Sequence, residues 1–169
     1  MTIDQLKPFC GTDESLPQYA VPFSRLLFTY ATDGRVLVRV PRLEYVPDGG
    51  LQGIERVMKD IPTDWTGAIA IPEFPPANTK PCELCGSKGK RFCGECEEYH
   101  LECCRCSGTG RQPVFTVSEF GEHEQKYQNS YLNLIRTLPN CRALTSAAKN
   151  YGPLPFVFDG GDGLLMPCM

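Results

Sequence analysis

Three Cys-x-x-Cys pairs crowd into residues 82–106 of this chain: Cys82/Cys85, Cys93/Cys96 and Cys103/Cys106. A Cys-x-x-Cys turn sets two thiolates on one side of a tight loop, at two corners of a tetrahedron, and a second pair completes the shell around a metal ion. Glycine close behind the second cysteine lets the backbone turn sharply around that ion. Seven of the ten cysteines fall in this stretch, where His100 and Cys104 add two further candidate ligands. Cys10, Cys141 and Cys168 are scattered and read as small apolar residues. Cysteines at this density in a reducing compartment are metal ligands rather than disulfides. Three consecutive pairs in a glycine-rich stretch also differ from the single dithiol of a redox enzyme at a helix start.

Cys103-Cys104-Arg105-Cys106-Ser107-Gly108-Thr109-Gly110 fits Cys-x-x-Cys-x-Gly-x-Gly in full. Cys82-Glu83-Leu84-Cys85-Gly86-Ser87-Lys88-Gly89 fits with its first glycine displaced by one position, and Cys93-Gly94-Glu95-Cys96 keeps only the cysteines. The pattern resembles the repeat of the DnaJ-type cysteine-rich zinc domain, in which outer repeats share one zinc and inner repeats another. The resemblance implies one zinc on Cys82, Cys85, Cys103 and Cys106. It implies a second on Cys93, Cys96, His100 and Cys104, the last two standing in for a missing pair. Two zinc ions per chain are expected, or one if the inner set stays incomplete. Such sites leave no open ligand position and no general base is evident, so a structural or interaction role is expected and catalysis is not.

The remainder of the 169 residues suffices for one domain with a sizeable core. The junctions at 72–78 and 108–113 are rich in proline and glycine and read as the ends of an insertion. The expected organisation is an α+β domain from 1–78 and 111–169, interrupted by a zinc module at 79–110. A short helix is expected at 2–9, capped by Thr2. Asp33-Gly34 between β-rich runs predicts a hairpin, with Val36, Val38 and Val40 on its apolar face. A short helix at 53–60, a strand at 67–71 and a strand at 114–117 follow. Leu132, Ile135 and Leu138 mark the apolar face of a helix at 130–138, stopped by Pro139. A strand around 142–147 comes next. A final hairpin pairs 155–158 with 164–167 across a turn at 159–163. The sum is an α+β fold with a mainly antiparallel sheet.

Thr32-Asp33-Gly34-Arg35-Val36, the Tyr131-Leu132-x-x-Ile135-x-x-Leu138-Pro139 helix and the Leu164-Leu165-Met166-Pro167 ending are similar to motifs of bacterial sliding clamps. That resemblance implies a clamp-like body, with Arg56, Lys59 and Arg136 as possible DNA contacts. A clamp-like body carrying a DnaJ-like insertion also resembles small proteins of phages and prophages. The implied role is accessory to DNA metabolism. A protein-binding adaptor or chaperone-like module is the alternative. The formal net charge of −3, which two zinc sites would take to about −6, argues against strong DNA binding by a monomer. A protein partner is expected, and self-association would be needed for DNA binding. No apolar run approaches the roughly 20 residues that span a bilayer. No signal peptide is evident, so a bacterial cytoplasm is the expected location. Phosphate loops, nucleophile elbows and dinucleotide fingerprints are missing from the sequence.

Overall fold

Asp33 closes the first hairpin of the structure, a computed structural model that describes residues 1–12, 17–49, 53–76, 78–93, 98–122, 124–148 and 152–168, and only the backbone of Asp60, Cys93, Glu98, Tyr99 and His100. Its Oδ1 accepts the N–H groups of Arg35 and Val36 at 2.8 and 3.0 Å, while Thr32 Oγ1 accepts that of Gly34 at 3.0 Å. Gly34 takes φ +90°, a region that costs a residue with a Cβ dearly. Turn geometry therefore accounts for Asp33. Two further aspartates that lie in expected turns also find structural partners, Asp159 with Asn140 and Asp162 with Arg39.

The chain falls into two units, residues Met1–Phe74 with Val117–Met169, and residues Pro75–Thr116. In the first, α1 (Ile3–Leu6) runs into a 3₁₀ turn at Lys7–Phe9, and β1 (Phe23–Arg25), β2 (Phe28–Thr32) and β3 (Val36–Pro41) follow. Next come α2 (Ile54–Val57), a 3₁₀ turn at Met58–Asp60, and β4 (Ile69–Ala70). The second unit holds β5 (Asn78–Pro81), β6 (Lys90–Cys93), β7 (Glu98–Glu102) and β8 (Arg111–Val114). The first unit resumes with β9 (Val117–Glu119), β10 (Lys126–Gln128), α3 (Asn129–Arg136), β11 (Arg142–Ala143), β12 (Leu154–Phe158) and β13 (Gly161–Leu165).

Seven strands of the first unit form one antiparallel sheet in the order β1-β2-β3-β13-β12-β11-β4, so the architecture is α+β with mostly antiparallel pairing. Alternate residues of β3 point to opposite faces. Val36, Val38 and Val40 enter the main core with Leu132 and Ile135 of α3, Leu6 of α1, and Leu154, Phe156 and Leu165. Leu37 faces the other way and packs with Phe23, Tyr30, and Ile54 and Met58 of α2 and its continuation. The two helices thus cover opposite faces of the sheet. Arg39 of β3 and Asp162 of β13 are cross-strand partners, joined by two hydrogen bonds of 2.8 and 2.6 Å. The guanidinium also lies 4.5 Å from the centre of the Phe28 ring. This bidentate, half-buried geometry is the strong form of an ion pair.

Several expected elements come out differently. The strand expected at 114–117 is two strands, β8 and β9, in different units and with different partners. The strand expected at 67–71 shortens to Ile69–Ala70, and that at 142–147 becomes β11 followed by a 3₁₀ turn at Thr145–Ala147. In the last hairpin, Gly161, Asp162 and Gly163 belong to β13 rather than to the turn. The reason is packing. Gly161 and Gly163 pair with Phe158 and Phe156, whose rings lie where a Cβ would stand.

β1 has no counterpart among the expected strands, because the turn after it is spelled Leu26-Leu27. Leu26 adopts φ +54°, and both leucines are more than 70% exposed. Arg42 fixes the turn by donating through its backbone N–H to Leu27 O and its Nη1 to Leu26 O. A leucine in this region costs about 1 kcal/mol. Leu26→Gly is therefore expected to stabilise the protein by up to about 1 kcal/mol, read as a raised midpoint in urea denaturation.

Candidate metal centre

Knuckle geometry organises the second unit. β5 pairs with β8 and β6 with β7, both antiparallel. Between the two ribbons the chain passes through 82–89 outbound and 103–110 on return. Cys82 N–H donates to Gly110 O and Cys103 N–H to Gly89 O, each at 2.9 Å, so the two loops hold each other. Within each loop the N–H five residues after the first cysteine bonds back to that cysteine's carbonyl, Ser87 to Cys82 and Gly108 to Cys103. The next N–H bonds to the second cysteine's carbonyl, Lys88 to Cys85 and Thr109 to Cys106. The loops are thus related residue by residue at an offset of 21, the separation of Cys82 from Cys103.

That correspondence explains the displaced glycine. Both loops carry two consecutive left-handed residues after the second cysteine, Gly86 and Ser87 at φ +54° and +68°, and Ser107 and Gly108 at φ +44° and +76°. One of each pair is glycine and the other serine, in opposite order. A serine thus bears the strain once in each loop.

The four sulfurs of Cys82, Cys85, Cys103 and Cys106 lie within 4.8 Å of one another, and among the described residues this is the one such group of potential ligands. The Cys82–Cys103 and Cys85–Cys106 separations are both 3.8 Å. A regular tetrahedron of sulfurs about 2.3 Å from a central ion has edges of about 3.8 Å. Disulfides would need about 2.05 Å. The Gly89 and Gly110 N–H groups donate to Cys85 Sγ and Cys106 Sγ at 3.3 and 3.2 Å, hydrogen bonds that favour thiolate over thiol. Burial works to raise the Cys103 thiol, but bonds to the Arg105 and Cys106 N–H groups outweigh it and bring it below the usual thiol value. Burial pushes Cys106 up. Four sulfurs this close can all be thiolates around a divalent cation, whose charge offsets their mutual repulsion. The set can hold one metal ion.

Burial in this unit is confined to the centre. Among the described residues of 75–116, the buried ones are Cys82, Cys85, Gly89, Cys103, Cys106 and Gly110. Leu84, Phe92 and Leu101 are about half exposed or more.

The other expected ligands are less informative. Cys96 and the side chains of Cys93 and His100 lie outside the described residues. Cys104 is exposed and stands apart from the four-sulfur group. The β6/β7 register pairs Lys90 with Glu102 and Cys93 with Glu98, and His100 is the extra residue that β7 carries at a bulge. Cys93 is therefore at the far end of this ribbon, about 10 Å from Lys90 along the strand, while Cys104 follows Glu102 at the near end. Of the possible DNA contacts, Arg56 and Lys59 are exposed on and just after α2, and Arg136, on α3, meets Glu73 at 3.3 Å. Those helices cover opposite faces of the sheet, so the three residues form no common basic surface.

A cavity of about 360 Å³ opens in the first unit between β3, β13 and α2. Leu37, Ile54, Val57, Leu164 and Met166 line it, together with Tyr19, Thr32 and Arg35. Sequence reasoning missed it, because its walls come from segments more than 100 residues apart. No helix among the described residues is long and apolar enough to cross a membrane. No family model, curated protein or solved structure matches the chain, and the DnaJ-type and clamp resemblances rest on the quoted motifs alone.

Proposed function

We propose that this is a non-enzymatic zinc protein, in which one zinc ion folds residues 75–116, and that it acts by binding another protein. The observation that carries the zinc reading is the confinement of burial, among the described residues of 75–116, to four cysteines and two glycines, with two sulfur–sulfur distances that match the edge of a tetrathiolate. A unit whose described residues bury nothing else draws its folding free energy from a metal. Closed tetrathiolate sets are the structural form of zinc site, with no position for a substrate. The cavity supports the protein-binding role, since its mainly apolar walls suit apolar side chains of a partner.

An accessory role in DNA metabolism, in a phage or prophage, has the clamp-like motifs behind it. The separation of Arg56 and Lys59 from Arg136 favours the adaptor role. Salt-sensitive duplex binding by the full-length protein in an anisotropy titration would return the DNA role to first place.

Elemental analysis tests the zinc reading. About one ion per chain is expected on the four-cysteine set, with none left in Cys103→Ser and no change in Cys104→Ser. A content near two would assign a second ion to the Cys93, Cys96 and His100 neighbourhood. Metal-free protein with four alkylatable cysteines in the native state would sink the proposal.

A further inference from the structure

We infer that Gly89 and Gly110, which ligate nothing, are positioning residues that act across the metal centre, each fitted against the opposite knuckle, so that the two halves of the tetrathiolate form only together. This rests on the metal-binding reading above.

Each glycine makes three contributions. Its N–H donates to the second cysteine sulfur of its own knuckle. Its carbonyl accepts the N–H of the first cysteine of the other knuckle. Its α-carbon fills space that a side chain cannot share. A Cβ on Gly89 would overlap the carbonyl of Gly108, and one on Gly110 would overlap that of Ser87. Both obstacles are backbone atoms of the facing loop, two residues beyond its second cysteine. Both glycines also sit at φ above +70° and are buried. A methyl group at either position must therefore push the other knuckle away, and the sulfurs of that knuckle move with it.

Gly86 supplies the contrast. It is left-handed too, at φ +54°, but a Cβ there meets nothing within 4 Å. Gly86→Ala adds backbone strain without the collision.

Cobalt(II) titration of the full-length protein, followed by the visible absorption of tetrahedral cobalt–thiolate, measures the effect. Gly89→Ala and Gly110→Ala are each expected to weaken cobalt binding about 100-fold, and Gly86→Ala no more than about tenfold. Cysteine alkylation read by mass spectrometry supplies the cross-centre readout. In Gly89→Ala, Cys103 and Cys106 should become as reactive as Cys82 and Cys85, and the reverse should hold in Gly110→Ala. The inference is overturned if only the substituted knuckle becomes reactive, or if Gly86→Ala loses cobalt as badly as the other two. Failure of the metal reading would show separately, as wild-type protein that takes up no cobalt. An unchanged denaturation midpoint of the first unit separates these effects from general misfolding.

Discussion

Stripping the metal with a strong chelator is expected to unfold residues 78–114 and to leave the seven-stranded sheet protected, as read by hydrogen exchange before and after treatment. The expectation follows from where burial lies. The second unit offers two short two-stranded ribbons, which are marginal in water on their own. Its buried residues, among those described, all belong to the metal centre. Metal binding in small cysteine-rich modules contributes about 10–16 kcal/mol, far more than such ribbons supply by themselves. The first unit has its own core, in which Leu6, Val38, Leu132, Ile135, Leu154, Phe156 and Leu165 are fully enclosed. Equal loss of protection in β3 and β13 would show that the metal holds both units. Unchanged protection in β5 to β8 would show that the ribbons stand without it.

Phe156→Ala should cost the first unit about 3–5 kcal/mol, measured as the shift in a urea unfolding curve. Phe156 is fully buried in the middle of β12, with its ring over Gly163 of the neighbouring strand and 6.3 Å from the Phe158 ring. The void cannot close easily, because Gly163 has no side chain to move into it. Filling from the glycine side fails as well, since a Cβ on Gly163 would strike Leu37 O as well as the ring. With a typical total stability of about 5–15 kcal/mol, such a loss leaves a barely folded sheet. A change below about 1 kcal/mol would mean that the ring is not packed as described.

The Phe156–Gly163 pair also shows what was legible in the sequence and what was not. The alternation of Val36, Val38 and Val40 and the spacing of Leu132, Ile135 and Leu138 gave the core faces of β3 and α3, since both patterns are local and periodic. Asp33-Gly34 gave its turn for the same reason. Gly161 and Gly163 read as turn residues because glycine is a turn residue in isolation. Their actual role, making room for two rings, exists only once β12 and β13 are side by side. Leu26-Leu27 carries no turn signal at all, which hid β1. At the metal centre the ligand-type residues were plain from spacing, whereas the 21-residue correspondence was obscured by Gly86-Ser87 facing Ser107-Gly108. Backbone conformation, not residue identity, is what repeats there.

The place of β13 in the sheet has a consequence for how the protein is made. Residues 161–165 lie between β3 and β12, and the Arg39–Asp162 pair spans 123 positions of chain. A ribosome delivers β3 long before its partner exists, so the sheet cannot close across its middle until residue 165 has left the exit tunnel. Pairing of β1, β2 and β3 before then would leave the β13 side of β3 as an unpaired edge, the kind that sticks to others. Cys82 and Cys106, by contrast, emerge within 25 residues of each other, and a metal ion can draw them together while synthesis continues. The last of its strands to appear completes the sheet from within, whereas the cysteine unit can be finished in passing.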